Sequence, residues 1–428
     1  MNEAKRFLSG SLIVFVGSIV ASVFSYLFNM LMGRLLGPVQ YGQMATIMSL
    51  LTILSVCGGV VTTITMFYTG ELYGLEKFGA IKKLFKILTR YIFFISLFFF
   101  LAGIAIAKPI ANFFAIDSIV PVIIAFSGFL IGFVALINKG VLQGTQRFTA
   151  FSAINILEML LKVSIAVLLV KIGLAVSGAM LAMVLASLIA YLVSFWPLSK
   201  IFIKEKKGND DFHFDKKDML AYTYPVILNT FVLTVLLNLD IMLVKHYFPA
   251  DQAGLYAATS TVAKIILYIT SPIISVMFPM IMEKKSKGEK HYKMLIASLA
   301  LTTVAALMIL GVYEVVPGFV MNLLYGTSYT ALFYLLPQIG LFALFYTLIN
   351  LFANYYLAIK DFMFLWFMSA CLVVSLVWSV IYHPSISIVV RIFIICAALT
   401  FALMFAYYLL TKKEQILTYI GSISGKES

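Results

Sequence analysis

The chain has 428 residues, of which 62% are hydrophobic and 11% charged, with a mean hydropathy of +1.04 and a formal net charge of +13. This composition excludes a soluble protein built round a large core, because a hydrocarbon layer ~30 Å thick takes about 20 apolar residues per helix and the chain supplies many such runs. The runs are of helix length, which excludes a barrel of alternating strands about ten residues long.

Twelve candidate spans follow one another, at about 9–33, 43–67, 86–107, 119–141, 151–170, 174–197, 220–244, 253–281, 294–314, 330–357, 362–382 and 387–410. The first carries Lys5 and Arg6 before it and is too long for a signal-peptide core, so it reads as a retained span. With the N-terminus inside, 24 of the 31 Lys and Arg fall in inner segments. Only Arg34, Lys108, Lys171 and Lys245 fall in outer loops, and Lys162, Lys264 and Arg391 fall within spans. That asymmetry predicts both termini in the cytoplasm, and it assigns most of the charge to topology and not to a nucleic-acid partner.

The first turn, residues 29–42, reads NMLMGRLLGPVQYG, and a degraded copy at 240–254 reads DIMLVKHYFPADQAG. Asn29 and Asp240, Arg34 and Lys245, Pro38 and Pro249, and Gly42 and Gly254 correspond, with one extra residue before the last glycine. The second copy has Phe248 where the first has Gly37. Gly58-Gly59 in the second span marks a close helix approach or a kink. In residues 70–90, Ile81, Leu84, Phe85 and Leu88 fall at helical spacing and Lys82, Lys83 and Lys86 on other faces. This predicts a basic amphipathic helix on the inner surface, or equally a solvated basic loop. Gly128 and Gly132 in span four, four residues apart, predict tight packing. LQGTQRF, 142–148, forms the next inner loop.

Residues 198–219 are the longest strongly polar stretch and read as a cytoplasmic linker between an N-terminal bundle, 1–197, and a C-terminal bundle, 220–428. Six spans precede it and six follow. An even number starts both halves on the same side, so the expected fold is all-α, with twelve transmembrane helices in two parallel six-helix bundles related by a pseudo-two-fold along the membrane normal. The loop at 316–329 takes the place of 108–117, and LAIKDF, 357–362, that of LQGTQRF, at a common offset which makes duplication the best reading.

RLLGPVQYGQMA, together with Asp240, Lys245 and the run Gly254, Leu255, Tyr256, Ala257, Ala258, resembles the polysaccharide-transport branch of the multidrug/oligosaccharidyl-lipid/polysaccharide exporter superfamily, which includes Wzx-type O-antigen flippases. QGTQRF looks like the inner loop after that family's fourth span. The resemblance implies a protein of the prokaryotic cytoplasmic membrane that moves an undecaprenyl-diphosphate-linked oligosaccharide. The partners so implied are a lipid-linked anionic oligosaccharide, membrane lipids, H+ or Na+ as a coupling ion, and polysaccharide polymerase machinery. A monomer is expected. A multidrug exporter of the same superfamily, and more remotely a membrane glycan polymerase or ligase, are the alternatives.

A charge near the bilayer centre is expensive and marks function by default. Lys162 lies roughly 16 Å into span five at ~1.5 Å per residue, and Lys264 at similar depth in span eight. Both are candidates to face a central cavity and bind the diphosphate, with Arg34 a further candidate at the outer gate. The competing reading for Lys162 is an i, i+4 ion pair with Glu158. Glu158 is a candidate coupling carboxylate, as is Asp240, although Asp240, Arg34, Lys245 and Arg391 near span ends are also explained by snorkelling. Cys57, Cys371 and Cys396 lie far apart, and His213, His246, His291 and His383 are scattered. No cofactor, metal spacing or catalytic constellation is expected.

Overall fold

The structure, a computed structural model, describes residues 3–202, 217–286 and 292–411. The linker expected at 198–219 lies for its greater part outside the described residues. Fourteen α-helices carry the described chain: α1 Glu3–Leu54, α2 Val56–Gly74, α3 Phe78–Phe113, α4 Val120–Gly144, α5 Phe148–Leu169, α6 Ala175–Phe202, α7 Lys217–Tyr247, α8 Ala250–Ala263, α9 Ile265–Ser286, α10 Tyr292–Val315, α11 Pro317–Tyr325, α12 Leu336–Ile359, α13 Phe364–Ile381 and α14 Ile386–Thr411.

Ten stretches among the described residues are long and apolar enough to cross a membrane. Two of them, Ile13–Leu54 and Phe148–Ile201, contain a turn, at Gly37 and at Gly173, and so hold more than one span. This is a multi-pass all-α membrane protein with the expected twelve helical passes. Gly37 has φ 73° and ψ 171°, a conformation only glycine takes without strain, and Pro38 then restarts the helix. In the second copy, where Phe248 replaces that glycine, the chain turns by ending α7 at Tyr247 and opening α8 at Ala250.

The chain divides into two compact units. Unit 1 is Met1–Thr223 with Phe248–Ala258, and unit 2 is Tyr224–Tyr247 with Thr259–Ser428. Each unit has the same order of helix packing. In unit 1, α4 packs on α2, α3 and α6, and α6 packs on α5. In unit 2, α12 packs on α9, α10 and α14, and α14 packs on α13. The fourth span of each half is therefore the hub, and α12 is buried along most of its length.

The loops repeat as well. Gln146 and Lys360 both take left-handed φ, 55° and 56°. The next amide donates five residues back in each case, Arg147 N to Leu142 O at 2.8 Å and Asp361 N to Tyr356 O at 3.0 Å, which closes the hub helix. Each loop then reaches the last span of its own half. The Arg147 guanidinium donates to Pro197 O at 2.8 Å, and Tyr407 Oη donates to Asp361 Oδ2 at 3.0 Å.

Two expectations need correction. The basic amphipathic segment is neither a helix lying on a surface nor a loop. It is the first part of α3, which runs unbroken for 36 residues, about 54 Å at ~1.5 Å per residue. Its apolar stripe, Ala80, Ile81 and Leu84, enters a core cluster with Tyr68, Val141 and Leu198. The tight glycine pair of α4 is also a different one. A Cβ on Gly128 would make only ordinary contact with Val184 and one on Gly132 would meet nothing, whereas Cβ atoms on Gly140 and Gly144 would lie 2.7 Å from Thr65 Cβ and from Met66 O of α2. Gly58 of α2 packs against Phe133 and Leu136, and the interruption in that span falls at Ser55, three residues earlier than the glycine pair.

Gly140→Leu should therefore force α2 and α4 apart and destabilise the detergent-solubilised protein by about 1–3 kcal/mol, read as a lowered thermal midpoint. Gly132→Leu should stay within about 0.5 kcal/mol of the parent. Equal effects would contradict this helix crossing.

Candidate substrate and coupling site

In unit 1, the charged residues of α4 and α5 sort themselves by packing. Lys139 Nζ of α4 lies 2.7 Å from Glu158 Oε2 of α5, with the two side chains 17% and 16% exposed. The i, i+4 pair between Glu158 and Lys162 does not form. Glu158 acts on Lys162 only through space. Lys162 is 7% exposed and its Nζ stands 4.1 Å from the centroid of the Phe28 ring of α1, which is itself fully buried.

That arrangement is energetically incomplete. Insertion scales put a lysine at the centre of a membrane helix at about 2.5–3.5 kcal/mol. A desolvated cation–π contact returns about 2 kcal/mol. Lys162 lies about 21 Å along α5 from Phe148 at ~1.5 Å per residue, and among the described residues it has no ion-pair or hydrogen-bond partner. An anion brought to its ammonium group would supply what Phe28 does not.

In unit 2, Asp240 of α7 is 2% exposed and its Oδ2 accepts the Ser260 hydroxyl at 2.9 Å. Lys245, 2% exposed, lies on the same helix. Lys264 is partly buried and occupies the single position that interrupts α8 and α9, with Asp240 as the charged group acting on it. A break in a membrane helix is tolerated where it is buried in protein or lines a wet cavity. Asp240 and Lys245 are buried, so snorkelling does not account for them. Arg34 and Arg391 are both exposed on their helices.

Reading the sequence alone missed Lys139, because it sits close enough to the end of span four to count as a loop charge. It also missed Phe28 and Ser260, which carry no signal beyond being apolar or small in an apolar run. Buried tyrosines in unit 2 direct their hydroxyls to backbone carbonyls: Tyr313 to Val262 O, Tyr346 to Leu233 O and Tyr356 to Met404 O, at 2.8–3.1 Å. Among the described residues no group of three or more His, Cys, Asp and Glu is arranged to hold a metal.

The chain is similar in fold to a multidrug resistance MATE family transporter of the MOP superfamily in an inward-facing conformation, with a TM-score of 0.69 at 13% identity over 94% of this chain and 99% of that one. A Vibrio cholerae MATE transporter gives a TM-score of 0.67 at 12% identity over 96% and 97% of the two chains. A MOP superfamily transporter from Pyrococcus furiosus, described as having a binding pocket of reverse polarity that suggests a different function, gives 0.65 at 14% identity over 93% and 95%. No curated protein matches the chain. At these identities the structural likeness establishes the fold. Residues 31–334 match the polysaccharide biosynthesis protein family, and with most of its length matched the chain belongs to that family.

Proposed function

We propose that the protein is a flippase that carries an undecaprenyl-diphosphate-linked oligosaccharide across the prokaryotic cytoplasmic membrane by alternating access, for polysaccharide synthesis. The observation that carries this reading is the state of Lys162: a buried ammonium over Phe28 whose neighbouring carboxylate, Glu158, is already committed to Lys139. In this reading Lys162 and Lys264, each within its own unit, offer ammonium groups to the anionic cargo, and Arg34 is proposed for the outer entrance. The lipid tail stays among membrane lipids. Both termini are cytoplasmic, and the delivered repeat unit passes to polymerase machinery outside.

Charge balance favours an anionic cargo. Among the described residues, the buried or partly buried charges on α4 and α5 are two lysines and one glutamate, and those from α7 to the α8–α9 break are two lysines and one aspartate. Each group keeps an excess positive charge, which attracts a phosphorylated cargo and repels a cationic drug. The Pyrococcus furiosus neighbour, with its reverse pocket polarity, supports the view that this fold accommodates pockets of different sign. A multidrug exporter is the second reading, because the MATE neighbours are described as multidrug transporters. Coupling to H+ or Na+ would run through Glu158 or Asp240, the two carboxylates placed among these lysines.

In a strain that depends on the protein for surface polysaccharide, Lys162→Ala and Lys264→Ala at normal membrane abundance should each cut transport at least ~10-fold, and Lys162→Arg should keep part of it. Cytoplasm-facing lipid-linked repeat units should accumulate. Undiminished transport in the alanine variants would remove the proposal, and altered sensitivity to cationic drugs alone would favour the exporter.

The ion pair makes a separate prediction. Lys139→Ala leaves a largely buried carboxylate and should destabilise the protein by about 1–3 kcal/mol, whereas adding Glu158→Gln should recover most of that loss. Additive losses in thermal unfolding would contradict the pairing.

A further inference from the structure

The lysine-rich start of α3 takes no part in the site described above. It meets the last turns of α6, within unit 1, through aromatic side chains. The Phe85 and Phe195 rings stand 6.4 Å apart at 89°, and Tyr191 packs edge-on to Phe195 at 5.0 Å. With ~100° of turn per residue, these rings fix what lies on each side of the α3–α6 crevice.

To one side, Ile81 and Leu84 stand about 40° and 100° from Phe85, and Leu198 about 60° from Phe195. All three are buried in one core cluster with Tyr68 and Leu72 of α2. To the other side stand Lys82 and Lys86, about 60° and 100° from Phe85, and Ser199, Trp196 and Lys200, about 40°, 100° and 140° from Phe195. Since the core residues of the two helices share one side, the basic residues share the opposite one.

That opposite side is an open surface of two kinds. Lys86, Ser199 and Lys200 are exposed, and Lys200 Nζ lies 4.4 Å from the centroid of the Trp196 ring, which is 70% exposed. Further into the same two membrane-crossing lengths, Phe93 and Leu192 are exposed. The ammonium groups therefore stand at the rim of a hydrocarbon-facing surface, with a tryptophan at the depth where that ring partitions. Neither α3 nor α6 contains an Asp or Glu. The acids nearest in the chain, Glu71 and Glu76, belong to α2 and the turn after it. Positive charge at inner helix ends is general and selects no lipid by itself, whereas basic groups gathered in a crevice between two helices suit a phosphate headgroup.

We propose that the α3–α6 crevice binds an anionic phospholipid of the cytoplasmic leaflet, its phosphate facing Lys86 and Lys200 and its acyl chains lying along Phe93, Leu192 and Trp196. A bound lipid would bridge the two helices where their own contact is confined to a few aromatic rings.

The test uses the full chain with Trp366→Phe and Trp378→Phe, which leaves Trp196 as its single tryptophan. In detergent, phosphatidylglycerol brominated on its acyl chains should quench Trp196 at a concentration at least ~5-fold lower than brominated phosphatidylcholine does. Lys86→Ala and Lys200→Ala should each weaken that preference, and the double variant should abolish it. Lys83→Ala, which removes a charge about 160° round α3 from Phe85, should leave it unchanged. Should the single-tryptophan protein fail to fold, the thermal midpoint of the parent decides: phosphatidylglycerol should raise it above its value in phosphatidylcholine, and less so in the Lys86→Ala, Lys200→Ala double variant. Equal response to the two lipids overturns the proposal. So does an equal loss in Lys83→Ala, because the attraction would then belong to net charge and not to this crevice. Both readouts are taken without cargo, so they stand or fall apart from the flippase reading.

Discussion

The ion pair that Lys139 of α4 makes with Glu158 of α5, at 2.7 Å, is the interaction on which the rest of the site depends. A carboxylate one turn from a lysine on the same helix would ordinarily neutralise it, and Lys162 would then be a structural residue with nothing to offer a ligand. With Glu158 committed to the neighbouring helix, Lys162 is left with an aromatic face. The shortfall between what burial of an ammonium costs and what a ring returns is the ground on which the position is proposed as a binding site. The α1–α5 and α4–α6 packings hold these groups in place, and the fourth span, which is the hub of each unit, carries one partner of the pair.

Duplication supplies the frame. The same hub and the same left-handed closing turn recur in both units, with the residue after the turn bound to the final span of its own half, Arg147 to Pro197 and Asp361 to Tyr407. The chemistry of the two tethers is different while their position is not, as expected when geometry is retained and side chains drift. The paired glycines at 42 and 254 are the place where the two copies touch, and neither partner has room for a Cβ.

Much of this was readable in the residues. Hydropathy revealed twelve passes, because membrane helices must satisfy their own backbone and have a required length. The turn copies at Pro38 and Pro249 revealed the duplication. What could not be read was rotation about helix axes. The glycine pairs 128/132 and 140/144 of α4 are equivalent as patterns, yet they lie about 120° apart round the helix at 3.6 residues per turn, and only tertiary packing decides which faces α2. The same ignorance of rotation made Glu158 look like the partner of Lys162. For the start of α3, a lysine-rich amphipathic pattern is the same whether its apolar stripe meets lipid or a protein core, and only the packed structure shows that Ile81 and Leu84 meet the latter.

The central claim, that Lys162 is a buried cation held ready for a phosphorylated lipid, is tested most directly by equilibrium binding of farnesyl diphosphate to the purified protein in detergent. The account predicts saturable binding of the diphosphate, none of the uncharged alcohol, and affinity at least ~10-fold weaker in Lys162→Gln. Equal affinity of parent and variant, or equal binding of diphosphate and alcohol, would contradict it.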